Sequence, residues 1–197
     1  MADQEPGRLQ GLIAAATAAG GRGPAPVDRW NPPDCGDIDM RIAADGTWLY
    51  GGTPINRPAL VRLFASVLDR EGARFVLKTP GEKVGLVVED APFLAVDLAR
   101  EDSAAGPVLV FRTNLDEVVR CGAGHELRFA VGDTPGDLRP YLHVRRGLEA
   151  RLTRAVYMEL VDLGEVRTLG DAPMFGVASG EMFFPMMPAA DLERASR

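Results

Sequence analysis

Lysine is nearly absent from these 197 residues. The chain carries 20 arginines and two lysines, Lys78 and Lys83, and both fall in one stretch of nine residues, FVLKTPGEK (75–83). An arginine-favouring codon bias accounts for the scarcity but not for the clustering. Other shortages exclude whole classes of function. The two cysteines, Cys35 and Cys121, are too few and too isolated for a disulfide framework or a zinc site; they read as buried, reduced thiols of a cytoplasmic protein. No run approaches the ~18 apolar residues of a membrane span. A net charge of −6 lacks the basic footprint of general nucleic-acid or anionic-membrane binding. The two histidines, His125 and His143, belong to no nucleophile or zinc motif, since GxSxG and HExxH are missing. P-loop and GxGxxG fingerprints are missing too, so a nucleotide site here has to be assembled from scattered side chains. No cofactor or metal is expected.

What is present is an ordinary globular mixture, 46% hydrophobic and 25% charged, which allows a packed core. LQGLIAAATAA reads as an Ala-rich helix over 8–19, stopped by Gly20-Gly21. A Gly/Pro-rich linker, 20–37, carries Trp30. Asp45-Gly46 then predicts a two-residue hairpin turn. That register sets Ile42 opposite Leu49 and Arg41 opposite Tyr50. By alternation it gives one apolar face (Met40, Ile42, Leu49) and one face that mixes Asp37, Asp39 and Arg41 with Trp48 and Tyr50. The spacing of Leu60, Val61, Phe64, Val67 and Leu68 predicts a helix over 57–70, capped by Asn56, with Pro58 in its first turn and Gly72 as its end. Strands at 73–79 and 83–89 follow, making a β-β-α-β-β unit. Beyond residue 91 the pattern is a succession of short strands. One runs over 140–145 and turns at Arg146-Gly147. Residues 148–151 suit strand or helix equally, and a helix with Val156 and Leu160 on its apolar stripe closes the set. GVASGEMFFPM in the tail echoes IAADGTWLYGG, as a duplicated hairpin would.

The fold class is therefore α+β: two tandem small domains consistent with duplication, the second an antiparallel partial barrel of pleckstrin-homology type closed by a helix. The expected division is an N-terminal helix and linker (1–37), a first domain (38–91), a second (92–187) and a tail (188–197).

Five blocks, WNPP (30–33), GDIDMRIAADGTWLYGGTPI (36–55), TPGEK (79–83), VEDAPF (88–93) and VRRGLEARLTRAV (144–156), resemble the signature of a bacterial family catalogued as domain of unknown function 1285. The likeness spans about residues 28–187. Gly81 departs from it, standing where the family's turn carries a larger residue. The resemblance implies cytoplasmic two-domain proteins with a duplicated α+β core and a C-terminal part like pleckstrin-homology folds. It also implies a nucleotide-like ligand in a cleft between the domains and a signalling role, and it attaches no reaction.

With Pro80-Gly81 at the centre of a turn, Lys78 lies opposite Lys83, and Pro-Gly suits a type II turn. Opposed like charges destabilise a sheet, so an anion between them is the functional reading; two solvated lysines, or relief by Glu82 and Glu89, is the plain one. Thr79 adds a hydroxyl. Arg151 and Arg154 are candidates for a far wall that holds phosphate or carboxylate, although pairing with Glu149 and Glu159 needs no ligand. Tyr50 or Trp48 could stack on a base, with packing favoured for Trp48. Arg41 completes the ligand-facing set. Asp37 and Asp39 could hold a divalent ion or pair with Arg41 or Arg57. The sequence favours a non-catalytic module that binds a small anionic, nucleotide-like ligand. A protein-interaction module and a metal-assisted hydrolase on Asp37/Asp39 are the alternatives.

Overall fold

A computed structural model of the chain describes residues 5–19, 23–132 and 137–195. It divides into two units, Met1–Asp90 and Ala91–Arg197.

The first unit begins with α1 (Glu5–Ala19), whose Leu12 and Ala16 are buried; the Gly20-Gly21 stop lies outside the described residues. A 3-10 turn (Val27–Arg29) leads to β1 (Asp34–Ile42), β2 (Trp48–Tyr50) and β3 (Thr53–Pro54). The β1–β2 connection is one residue longer than a two-residue turn. Ala43 N–H donates to Thr47 O, and Gly46 N–H to Ala43 O, both at 2.9 Å, with Gly46 at φ +83°. This is a three-residue loop with glycine in the left-handed position, the second commonest hairpin solution. Asp45 Oδ1 accepts from Thr47 N–H at 2.9 Å, which holds the aspartate in the bend. The extra residue shifts the pairing to Ile42↔Trp48, Arg41↔Leu49 and Met40↔Tyr50. A shift of one residue turns every side chain of one strand to the other face. Trp48 thus joins Met40 and Ile42 in the core, 2% exposed, with its ring stacked 6.3 Å from Phe64. The expected charged-aromatic face does not form.

Helix α2 (Pro58–Ser66) has Pro58 at its first position and no side-chain cap; Arg57, not Asn56, occupies the cap. It stops four residues before the expected end, because Leu68 pairs with Leu77 as the first residue of β4 (Leu68–Glu71). Leu68 is buried either way, so helical spacing of apolar residues could not separate the two outcomes. β5 (Arg74–Lys78) and β6 (Lys83–Val88) complete a sheet of order β3-β2-β1-β6-β5-β4. All its pairs are antiparallel except β1 with β6.

The second unit contains β7 (Phe93–Glu101), β8 (Val108–Thr113), β9 (Val118–Arg120), β10 (Leu127–Val131), β11 (Leu138–Arg145) and β12 (Leu148–Leu152). Residues 148–151 are therefore strand. The β11–β12 turn is Arg146-Gly147, at φ +45° and +72°, positive at both central positions as a two-residue hairpin favours. Helix α3 (Arg154–Asp162) follows, capped by the Thr153 hydroxyl, with Val156 and Leu160 buried and packing on β7 and β12. β13 (Glu165–Leu169), β14 (Ala172–Ser179) and β15 (Met182–Pro188) form a separate antiparallel sheet, followed by α4 (Ala189–Ala195).

The six-stranded sheet of this unit has the order β10-β11-β12-β7-β8-β9, and its one parallel pair is β7 with β12. Counted from the first strand of each unit, both sheets read 3-2-1-6-5-4, with strands 1 and 6 parallel. Identical order and identical placement of the exceptional pair are what a duplicated unit produces. The tail hairpin β14–β15 turns at Gly180, as the echo of the first hairpin suggests, but it lies in the separate sheet. The fold class is α+β, and the six-stranded sheet of the first unit curls as a partial barrel with a helix nearby.

Candidate functional site

The Lys78/Lys83 pair lies where the sequence places it, as opposed residues of β5 and β6. The turn between them is not type II, since Gly81 is not among the glycines at positive φ and a type II turn requires positive φ at its third residue. Thr79 N–H donates to Glu82 O at 2.9 Å. In return Thr79 Oγ1 accepts from Glu82 N–H at 3.2 Å. The hydroxyl thus takes a contact that the backbone carbonyl would make in a simple turn, and Thr79 is fully buried.

The anion between the lysines is supplied by the chain itself. Glu71, the last residue of β4, accepts from Lys78 Nζ on Oε1 at 3.1 Å and from Lys83 Nζ on Oε2 at 2.6 Å. Asp69 Oδ2 lies 3.6 Å from Lys78 Nζ. Glu71 pairs across the sheet with Arg74, four residues before Lys78 on β5, so the lysine stems extend back along the sheet to reach it. Burial matters here: the Lys78 and Asp69 side chains are each 10% exposed, Lys83 19% and Glu71 35%. Hydrogen bonds from Lys83 and then Lys78 hold the Glu71 carboxyl below the usual glutamate range, against a smaller opposing effect of burial.

The sequence reading missed Glu71 because it carried the preceding helix to residue 70. The signal was nonetheless present. Glu71-Gly72-Ala73-Arg74 is a two-residue turn with Gly72 at φ +64° in its first central position, a known hairpin pattern.

A second ionic array flanks the first. Arg74 donates to Asp34 Oδ2 at 2.5 Å and to Asp37 Oδ1 at 2.6 Å. Asp37 therefore pairs with Arg74, not with Arg41 or Arg57. Its carboxylate and the Arg74 guanidinium cross β6 above Gly85, where a Cβ would lie 2.1 Å from Asp37 Oδ1. Asp34 is held below the usual carboxylate range, first by the Arg74 hydrogen bond. Arg41 pairs with Glu89 at 3.1 Å, and the other Glu89 oxygen accepts from Ala44 N–H at 3.0 Å, tying the β1–β2 loop to the end of β6. Among the described residues, no group of three His, Cys, Asp or Glu side chains is placed to hold a metal ion.

The structure thus gathers Lys78, Thr79 and Lys83, and adds Glu71 and Asp69. Trp48 is in the core; Tyr50, half-buried, is opposite Met40. Arg151 and Arg154 belong to the second unit, on different elements. Arg151 is on β12 between Tyr141 and Leu94, and Arg154 is the first residue of α3. Glu149, an expected partner for them, pairs with Arg128 at 2.8 Å. His143 is bound at both ring nitrogens, by Gly124 O at Nδ1 (2.6 Å) and by Gly147 N–H at Nε2 (3.0 Å). His125 contacts His143 O through Nδ1 at 3.2 Å. Cys121 is buried, with its thiol pushed up to about 12 by desolvation, whereas Cys35 is exposed, contrary to expectation.

These features define a two-unit α+β protein that uses one six-stranded topology twice, with an ionic cluster on the first sheet. The chain belongs to the DUF1285 family. The N-terminal domain of unknown function of that family matches residues 25–91, and its C-terminal domain matches residues 92–186. A DUF1285 family protein from Silicibacter pomeroyi is 51% identical over 93% of this chain and 98% of its own, with a TM-score of 0.83. A second, from Shewanella baltica, is 32% identical over 64% of this chain and 91% of its own, with a TM-score of 0.51. No curated protein matches the chain. No helix among the described residues is long and apolar enough to cross a membrane.

Proposed function

We propose that this protein is a non-catalytic module that binds a small anionic, nucleotide-like ligand, and that Lys78 and Lys83 are its anion clamp, with Glu71 as the internal occupant. The observation that carries this reading is the seating of one carboxylate between two ammonium groups, one oxygen to each. A ligand phosphate or carboxylate offers the same two-point geometry and enters by displacing Glu71, which sits at the end of an edge strand and is the most exposed member of the cluster. Thr79 fixes the turn that keeps the lysines opposed. Tyr50 is the proposed further contact. Binding without chemistry suits a sensing role in signalling.

The test is a thermal-shift comparison of the full chain, Glu71→Gln and Lys83→Ala, with inorganic phosphate and nucleoside phosphates as probes. Removing the internal carboxylate frees the clamp, so Glu71→Gln should be stabilised at lower probe concentration than wild type, and Lys83→Ala should not respond. At a hundred times the dissociation constant the gain is ~2.7 kcal/mol, or about 5–10 °C for a chain of this size. No shift in wild type and Glu71→Gln with any of these probes, or an equal shift in Lys83→Ala, refutes the clamp and leaves the cluster a structural set of ion pairs.

A further inference from the structure

Among the described residues, β13 is an edge strand of the three-stranded sheet. All five residues of β13 are exposed, including Val166 at 54% and Leu169 at 43%, and among the described residues β13 pairs with β14 alone. Natural edge strands are usually blunted by shortness, charged side chains, proline, a bulge or a covering segment. β13 has no proline and no bulge, its pairing with β14 is regular over all five residues, and its two charges, Glu165 and Arg167, are of opposite sign.

The pairing shows which backbone groups are unused. Thr168 faces Pro173, which has no N–H, so that pair is a non-hydrogen-bonded one. Alternation then makes Val166↔Phe175 non-hydrogen-bonded as well. The N–H and C=O groups of Val166 and Thr168 therefore point away from β14, outward along the sheet edge.

We infer that β13 pairs antiparallel with β13 of a second copy of this chain, joining two three-stranded sheets into one of six. A two-fold axis can place Glu165, Val166, Arg167 or Thr168 opposite itself, and charge selects among these registers. Centring on Glu165 or Arg167 sets like charges face to face. Centring on Thr168 sets Glu165 against the partner's Asp171. Centring on Val166 sets Glu165 against the partner's Arg167, and Arg167 against the partner's Glu165, at both ends of the contact. In that register the two Val166 residues exchange both of their outward hydrogen bonds. Glu165 and Arg167 now pair with each other along the same strand at 2.6 Å, with the guanidinium over the Phe183 ring. Both side chains are thus already at the surface where the partner's charges arrive.

Sedimentation velocity of the full chain over a concentration series tests this. A species of twice the 21.2 kDa chain mass should grow in with concentration. Val166→Pro should sediment as a single chain while keeping the wild-type far-UV circular dichroism, because β14 does not use the Val166 N–H. Glu165→Arg and Arg167→Glu should each self-associate about tenfold more weakly, and their equimolar mixture should recover the two-chain species. A wild type that stays monomeric throughout, or reversed chains that self-associate as wild type does, overturns the inference. The reversed chains decide the matter even if Val166→Pro fails to fold.

Discussion

At the scale of single residues, the cluster around Glu71 shows how partly buried charges are tolerated. Two opposed lysines would repel at close range in a medium poorer than water in dielectric screening. One carboxylate shared between them, with Asp69 behind Lys78, brings the set to neutrality. Replacing Glu71 by Gln should cost about 1–3 kcal/mol, since it leaves two ammonium groups with fewer charged partners. The pH dependence has a definite sign. The Glu71 carboxyl is held below its ordinary value of 4.5 in the folded chain. Its stabilising contribution is therefore present above that value and is lost as pH falls through the lower folded one. Urea unfolding at stepwise lower pH should show the gap between wild type and Glu71→Gln closing in that acidic window and constant at neutral pH. The cysteines give a separate check. Burial that raises the Cys121 thiol to about 12 keeps it protonated and inert, so a thiol reagent should label one cysteine, Cys35, in the native chain and both after unfolding. Lys78 opposite Lys83 was legible from the TPGE turn. Glu71 was hidden because its neighbours fit helix and strand patterns equally well.

At the scale of elements, a single residue in the β1–β2 loop decides the fate of Trp48. Asp-Gly supports a two-residue turn or the three-residue loop seen here, and sequence alone does not choose. The choice is made by packing: the longer loop places Trp48 on Phe64 in the core, whereas the shorter one would strand it among carboxylates. Trp48→Ala should cost about 3–5 kcal/mol in equilibrium unfolding. Trp48→Phe should cost much less, because the buried indole Nε1 has no hydrogen-bond partner among the described residues and its removal relieves that penalty. Two glycines make a second contrast. A Cβ at Gly176 would lie 2.3 Å from the Phe184 carbonyl, which is backbone in a paired strand; the three atoms nearest a Cβ at Gly85 all belong to the Asp37 and Arg74 side chains. Thermal melts should therefore show Gly176→Ala strongly destabilised. Gly85→Ala should melt much closer to wild type, because the ends of two exposed side chains can swing aside.

At the scale of the whole molecule, the dominant fact is one strand order used twice. In each unit the outer strands form hairpins and meet at a central parallel pair, a pairing that local turns cannot produce. Hydrogen exchange should accordingly find the slowest amides in β1, β6, β7 and β12, and fast ones in β3 and β9, the short strands at sheet edges. The family match divides between residues 91 and 92, one residue from the division of the structure after Asp90.

The amino-acid order by itself determined the local features: the Arg146-Gly147 turn, the Pro58 helix start, the opposed lysines, and the absence of GxSxG, HExxH, P-loop and GxGxxG motifs. Each depends on residues within a few positions of one another, where backbone preference and side-chain period act directly. Tertiary structure alone decided the register of the first hairpin, the early end of α2 and the partner of the two lysines. In each of these the local chain had two nearly equal options, and burial against residues distant in sequence supplied the free energy that separated them.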